Sequence, residues 1–414
     1  MFHFSKRAAG TASRVPRKAR QTLAVGLVGF CAFLSLYSTQ PLLPLFHQIF
    51  HASKLAVSLT VSAATLAVAI SAPFVGIVAD RVGRKKVIIP SIYLLAVANL
   101  LTAFSPNLPV LIGWRFVQGV LTPAVFAVAV AYINEEWEPA ETGFATSVYV
   151  TGTVVGGFCG RFLSGLVASR WNWPWVFVCL GLLNLGLAAL ASAWLPPARH
   201  FKGVADYASG LRGLAGHFRN RSLLVIYAVG FTLLFSLVGS FTYITFYLAE
   251  PPFNLSTTAL GAIFAVYLVG AVVTPVAGTC SNRRPGWVIL SLALLFAMGG
   301  MLGTLTHNLW LVILGITLCS SGVFVCQIIT NRNIGAVAGG ARASAVGLYV
   351  TFYYCGGFVG SVVPGFLWDL GGWPLCVAFI AGVQGAALLF VLLVWRRLEC
   401  GAPEPAAQAV EAAD

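Results

Sequence analysis

Charged side chains are rare in this sequence, and the few that occur are concentrated where they could pair or hold an anion. The 414 residues include 25 Lys and Arg but only 12 Asp and Glu. Five of these charges fall within the segment GIVADRVGRKK at 76–86, and two arginines, Arg115 and Arg161, interrupt long apolar stretches. Charges in such places form ion pairs, bind an anionic ligand or fix the orientation of a chain in a membrane.

No residue pattern predicts catalysis or a bound cofactor. The sequence lacks a Gly-x-x-x-x-Gly-Lys-Ser/Thr phosphate loop, and its His, Asp and Glu residues do not cluster at hydrolytic spacing. His47 and His51 could share one helical face, but a metal site needs a third ligand and none is nearby. We therefore expect a protein that is not an enzyme and needs no cofactor or metal, with a proton gradient as a candidate energy source.

The elements that must position these charges are membrane-spanning helices. Apolar residues make up 58% of the chain and charged residues only 9%, whereas soluble domains are about 25% charged. Twelve apolar stretches approach the roughly 20 residues that cross a bilayer. They lie near 22–46, 55–79, 87–104, 109–133, 143–168, 174–195, 223–248, 258–279, 286–304, 310–329, 345–368 and 374–395. We predict an all-α integral membrane protein with twelve transmembrane helices.

The distribution of Lys and Arg predicts the orientation of these helices. All but four of the 25 Lys and Arg residues fall in the termini or in loops on one side of the predicted membrane. The exceptions are Lys54 and Arg170 on the other side, and Arg115 and Arg161 within helices. Because basic residues accumulate in cytoplasmic loops, both termini are predicted to be cytoplasmic. The net charge of +13 is then a topology signal, and we expect the bilayer as a partner and no nucleic acid.

An internal duplication divides the chain into two halves. YVTGTVVGGFCGRFLSG at 149–165 aligns with YVTFYYCGGFVGSVVPG at 349–365, and the Trp-Pro pair at 173–174 recurs at 373–374. Parallel halves with a substrate site between them at mid-depth are a recurring transporter plan. The predicted organisation is a basic cytoplasmic tail at 1–21, an N-terminal six-helix bundle at 22–195, a cytoplasmic linker at 196–222, a C-terminal six-helix bundle at 223–395 and a cytoplasmic tail at 396–414.

The motifs of the chain resemble those of the major facilitator superfamily over essentially its whole length. GIVADRVGRKK is similar to the superfamily's signature between helices 2 and 3. RFVQG at 115–119 is similar to its helix 4 motif, and GTVVGGFCGR at 152–161 to the helix 5 motif of antiporters, although Gly157 replaces a proline and Arg161 a glycine. YSTQPLLPLF and YINEEW add a resemblance to drug-efflux-type bacterial permeases annotated for arabinose efflux.

The charged turn is predicted to act as a conformational latch where the cytoplasmic ends of the two halves meet. Asp80 is expected to face the start of helix 11 and Arg342, and Arg81 to pair with Glu135 or Glu136. For Arg84, Lys85 and Lys86, a role in topology alone is the alternative. The predicted latch consists of Gly76, Asp80, Arg81, Gly83, Arg84, Lys85, Lys86, Glu135, Glu136 and Arg342, with a weaker second copy at Gly278, Asn282 and Arg283.

The two intramembrane arginines are candidates for a polar site. No Asp or Glu lies in the interior of a predicted helix, so each arginine must bond carbonyls, polar side chains, water or an anion. Snorkelling toward the outer headgroups is the alternative for both. In the family, helices 1, 4, 7 and 10 line the cavity, which implies cavity positions for Tyr37, Gln40, Arg115, Gln118, Phe235, Ser236 and Gln327. We expect Arg115 to have the more direct role, because helix 5, which carries Arg161, belongs to the packing set.

Glycines repeat every four residues in two aligned helices and predict close helix packing rather than ligand contact. These glycines are Gly152, Gly156 and Gly160 in helix 5 and Gly356 and Gly360 in helix 11. The sequence as a whole predicts a monomeric transporter of the bacterial inner membrane that exports small organic molecules by alternating access. Uptake of a small organic anion and a non-transporting membrane sensor remain alternatives, and the substrate and direction stay open.

Overall fold

The computed structural model describes residues 17–196, 198, 217–218, 220–270, 272–273, 284–337 and 342–397, and within them all regular structure is helical. The first half contains α1 Arg17–Leu36, α2 Leu43–Ile49, α3 Lys54–Val82, α4 Arg84–Thr102, α5 Leu108–Glu136, α6 Pro139–Arg170 and α7 Trp173–Trp194. The second half contains α8 Arg221–Ala249, α9 Thr257–Ile263, α10 Gly286–Gly303, α11 Leu309–Val337 and α12 Arg342–Phe390, followed by a π-helical turn at Val391–Trp395.

These helices account for the twelve predicted crossings. Ten of the described helical segments are long and apolar enough to span a membrane, and the shorter apolar segment Thr257–Gly270 lies where the eighth crossing is predicted. The segment α12 crosses twice, because its backbone leaves the helical conformation at Gly371 and Gly372. Gly372 has a φ of +63°, a left-handed conformation that glycine adopts without steric cost. The predicted multi-pass helical fold is confirmed.

The first crossing is interrupted, whereas the sequence predicted a continuous helix over 22–46. The segment α1 ends at Leu36, a short 3-10 helix covers Gln40–Leu42, and α2 begins at Leu43. Pro41 and Pro44 explain the interruption, since proline lacks the N–H that a continuous helix would bond four residues back. The interruption frees backbone carbonyls near Leu36 and places Tyr37 and Gln40 in an irregular segment between two helices.

Glycines bring the long helices of each half into backbone contact. A Cβ added at Gly152, Gly156 or Gly160 would lie within 2.3 Å of a backbone oxygen of α1. In the second half, a Cβ at Gly356 or Gly360 would lie within 2.3 Å of a backbone oxygen of α8. No side chain larger than hydrogen fits at these distances, so α6 lies directly on α1 and the first part of α12 directly on α8. The two halves thus use equivalent glycines for equivalent helix pairs.

Candidate functional site

Arg161 is enclosed by aromatic rings in the interior of the protein. Its side chain is on α6 and the residue is only 5% exposed. The guanidinium Nε donates to Gln40 Oε1 over 2.8 Å, and Nη1 donates to the carbonyl of Gly157 over 2.7 Å. Its Cζ lies 4.7 Å from the ring centroid of Tyr37. The side chain is therefore held by protein groups and does not snorkel toward the headgroups.

Two more rings reach Arg161 from the second half. The ring centroids of Phe264 and Tyr267 lie 4.8 and 4.9 Å from its Cζ. A Cβ added at Gly261 would lie 2.9 Å from the backbone oxygen of Arg161, so α9 lies directly against α6. The segment that follows α9 places both rings beside Arg161. Such distances allow cation–π attraction. We call Arg161, Tyr37, Gln40, Phe264 and Tyr267 the arginine cage.

Further tyrosines connect the cage to α11 and α12. The hydroxyl of Tyr37 lies beside that of Tyr354, and the hydroxyl of Tyr353 lies beside the side chain of Gln327. The ring of Tyr353 stacks on that of Tyr349, with centroids 5.7 Å apart. Gln327 was assigned to the cavity from the family plan, and it lies beside this tyrosine group.

Arg115 lies in a different environment, inside the first half. It is 0% exposed. Its guanidinium donates to the carbonyls of Ser35 (2.8 Å) and Thr60 (3.1 Å), and also to the carbonyl of Leu36 and to Gln118 Oε1. The helix end at Leu36 supplies two of these four acceptors, the Ser35 and Leu36 carbonyls, because the last carbonyls of a helix lack partners within it.

Gln118 extends the same network. Its Nε2 donates to Thr102 Oγ1 over 2.9 Å and lies 3.4 Å from Asn99 Oδ1. We call Arg115, Gln118, Asn99, Thr102 and Ser35 the first-half polar core. All these partners belong to one half, so both residues brace the first half internally in this structure, and their cavity positions stay predictions.

Two other residues assigned to the cavity lie on α8. Phe235 packs edge-on against Phe379, with centroids 5.8 Å apart, and its backbone oxygen meets Gly360. It therefore packs in the interior of the second half in this structure, and its cavity assignment stays a prediction. Ser236 is buried, and its Oγ has no hydrogen-bond partner in the described part of the chain. Tyr37 and Gln40 are the cavity residues that the structure brings to Arg161.

Contacts join the two halves at the end of the molecule that the basic residues predict to be outer. Lys54 Nζ, at the start of α3, lies 2.5 Å from Glu250 Oε1, just after α8. Ser62 Oγ lies 2.7 Å from Ser361 Oγ, and Ser58 Oγ donates to the Ser361 carbonyl over 3.0 Å. We call these five residues the outer seam. The sequence did not identify it, although Lys54 and Glu250 are both charges at predicted outer ends.

The charged turn at the opposite end ties helices of one half together. Arg84 Nη2 lies 3.2 Å from Asp80 Oδ1 and 2.6 Å from Glu135 Oε1. These pairs connect the end of α3, the start of α4 and the end of α5. Lys85 Nζ donates to the Leu195 carbonyl over 2.5 Å, whereas Lys86 is exposed. Arg84 and Lys85 therefore make specific contacts beyond their effect on topology.

The other latch residues divide into four groups. Gly83 has a φ of +103°, so the turn between α3 and α4 requires glycine. A Cβ at Gly76 would meet no described residue within 4 Å, and the role of Gly76 in the latch stays a prediction. The pairing of Arg81 with Glu135 or Glu136 stays a prediction. The Arg342 side chain and the second latch copy at Gly278, Asn282 and Arg283 lie outside the described residues.

Comparison with known proteins places this architecture among transporters. A family model described as Major Facilitator Superfamily matches residues 25–339 and 253–412. A protein named "Uncharacterized transporter" from Buchnera aphidicola subsp. Schizaphis graminum (strain Sg) is 33% identical over 378 residues, 91% of either chain. The inner membrane transport protein YnfM of Escherichia coli (strain K12) is 31% identical over 384 residues, 92% of either chain. A crystal structure of a mutant nucleoside transporter NupG aligns with a TM-score of 0.75 at 15% identity, covering 90% of this chain and 99% of that one.

Proposed function

Because the chain belongs to the major facilitator superfamily, and is a transporter of that type, we propose that it carries small organic molecules through the arginine cage by alternating access. One observation carries this proposal, which is that both halves build the cage. Arg161 and Tyr37 come from the first half, and Phe264 and Tyr267 from the second. A ligand in contact with both halves binds with an affinity that depends on their arrangement, so its binding shifts the equilibrium between arrangements.

The outer seam supports a cycle in which the outer ends of the halves separate. A partly exposed ion pair such as Lys54–Glu250 is worth about 0 to 1 kcal/mol, and a hydrogen bond such as Ser62–Ser361 about 0.5 to 1.5 kcal/mol. Free energies of this size favour the closed outer ends but still allow them to separate. We assign the structure to the outward-closed arrangement, and the opening step breaks these contacts.

We propose export as the direction of transport and an ion gradient as its energy source. The resemblance to drug-efflux-type permeases supports export, and an aromatic cage suits amphipathic organic molecules. Uptake of a small organic anion is the second candidate, and it is favoured by Arg161, which has no carboxylate partner among the described residues. We place the protein in the bacterial inner membrane with cytoplasmic termini, as the distribution of basic residues predicts.

Transport into everted and right-side-out membrane vesicles tests this function. A panel of organic anions, cations and neutral compounds is offered with and without a proton gradient. We expect at least one class to accumulate, and Arg161→Ala to lower its initial rate by at least about tenfold. Arg170→Ala is the matched control, since Arg170 is an exposed arginine on the same helix, and it should transport normally.

The outcome also decides between the alternatives. Accumulation in everted vesicles indicates export, and accumulation in right-side-out vesicles indicates uptake. Binding without transport in either orientation would establish the sensor. Normal transport by Arg161→Ala would rule out the cage as the route.

A further inference from the structure

We infer that the arginine cage recognises the carboxylate of an aromatic acid, which binds the guanidinium of Arg161 while its ring packs among the tyrosines. This inference rests on the proposed function, and it narrows the substrate of the same site to monoanionic aryl carboxylates. The comparison of the two buried arginines supplies the first step.

Arg161 has fewer acceptors than its guanidinium can use. The five N–H donors of Arg115 meet four oxygen atoms, through all three guanidinium nitrogens. Arg161 meets only two oxygen atoms, through Nε and Nη1. Its Nη2 therefore makes no hydrogen bond to the described residues, although the guanidinium is almost fully enclosed. A ligand acceptor at Nη2 would satisfy the remaining donors.

The charge of Arg161 is also uncompensated within the described part of the chain. The ion pairs of Asp80, Glu135, Glu141 and Glu250 are all made with residues other than Arg161. A buried cation without a counter-ion carries a desolvation cost that a bound anion reduces. The guanidinium fork matches a carboxylate, since two parallel N–H donors can meet its two oxygens. One arginine neutralises one negative charge, so a monoanion fits better than a dianion such as a phosphate monoester.

The surroundings of the guanidinium select an aromatic body for this anion. Three ring centroids lie 4.7 to 4.9 Å from Cζ, and Tyr354, which lies beside Tyr37, extends the aromatic surface to α12. Aromatic rings pack favourably in offset or edge-to-face geometry. Phe264 and Tyr267 belong to the second half, so separation of the halves withdraws them from Arg161 and opens a space bounded by rings.

Binding to the purified full-length protein tests the inference without any substitution. The probes are benzoate, 3-phenylpropionate and 2-naphthoate, each compared with its neutral amide, and octanoate as an acid without a ring. Dissociation constants are measured by tryptophan fluorescence and by the shift in thermal unfolding. We expect at least one aryl acid to bind at least about tenfold more tightly than both its amide and octanoate, as a charge-assisted hydrogen bond predicts.

A substitution then locates the site. In Arg161→Lys the charge is kept but the planar fork is lost, so the preference for acid over amide should fall by about tenfold while the protein remains monodisperse. Equal affinity of acid and amide in the wild type would overturn the inference, as would an unchanged preference in Arg161→Lys. Failure of all the acids to bind would overturn it too. Transport of other compounds in vesicles would still support the proposed function, and binding of aryl acids without transport would overturn only that function.

Discussion

Arg115 and Arg161 occupy similar positions in the first half but have opposite surroundings. Each lies less than ten residues from the predicted outer end of its helix, and each is buried. Arg115 is surrounded by carbonyls and amides of its own half. Arg161 is surrounded by rings, two of them from the other half. A buried cation can thus be fixed by its own bundle or shared across an interface that moves, and only the second arrangement can respond to a ligand.

A covalent link across the outer seam is the strongest test of whether the two halves separate at this end during transport. In a background without other cysteines, Ser62→Cys and Ser361→Cys, whose native Oγ atoms lie 2.7 Å apart, are combined and oxidised. We expect transport to fall almost to zero, because the halves can no longer separate at this end, and to return on reduction. Each single cysteine variant is the control and should be insensitive to oxidant. Undiminished transport by the linked protein would contradict the assignment of the seam as a moving interface.

Alanine substitutions of the two arginines should separate stability from transport. Arg115→Ala leaves Gln118 and several carbonyls buried without their partner, and each buried group left unsatisfied costs about 1 to 3 kcal/mol. We expect a large loss of folded protein in the membrane and a lower midpoint of thermal unfolding in detergent. Arg161→Ala should unfold near the wild-type temperature and lose transport. If the two variants are equally unstable, the distinction between the polar core and the arginine cage fails.

The charged turn should show a smaller effect, on transport rather than on abundance. Asp80→Asn removes one ion pair to Arg84, which Glu135 still holds at 2.6 Å. We expect initial transport rates to fall severalfold at nearly normal protein level. Asn282→Ala, in the second copy of the turn, removes no charge and should cost much less. Equal losses in both variants would show that the two turns are not asymmetric.

The smallest effect is expected at a neutral contact of the outer seam. Ser62→Ala removes the hydrogen bond to Ser361 Oγ but leaves Ser58 Oγ bonded to the Ser361 carbonyl. The loss of about 0.5 to 1.5 kcal/mol should favour seam opening by less than about tenfold, which distance measurements between spin labels across the seam can detect. Ser71→Ala is the control, because Ser71 on the same helix bonds only the Ala67 carbonyl. A shift of equal size in both variants would contradict the role of Ser62.

Hydropathy and duplication were sufficient to predict the crossings and the equivalence of the halves. The break after Leu36 was missed because proline and apolar residues score alike in a count of apolar length, although Pro41 and Pro44 gave a local signal. Because α1 ends early, the carbonyls of Ser35 and Leu36 can accept hydrogen bonds from Arg115. A sequence gives the depth of a residue along its helix more readily than the direction in which its side chain points.

That limit explains why the two arginines were ranked in the wrong order for a place between the halves. The family plan assigned helix 5 to packing, and its glycines do pack on α1, but Arg161 lies on the same helix and meets Phe264 and Tyr267. These rings and Tyr353 and Tyr354 were not identified, because aromatic residues in apolar spans look like ordinary core. The run of tyrosines in YVTFYYC was the available signal. The pairing of Arg84 with Glu135 was not predicted for the same reason, since it depends on the direction of the Arg84 side chain at the start of α4.

The glycine contacts between α6 and α1 have a consequence for where a ligand stays during a transport cycle. With backbone oxygens of α1 within 2.3 Å of any Cβ on those glycines, the two helices cannot slide or rotate past each other. Tyr37, just beyond α1, and Arg161, on α6, therefore remain neighbours whatever the second half does. Phe264 and Tyr267 are also held close to α6, because a Cβ at Gly165 would lie 2.4 Å from the Thr257 oxygen, but this contact joins the two halves and is one that their separation breaks. We expect the ligand to stay bound to the first half throughout the transport cycle, while the second half alternately covers and uncovers it.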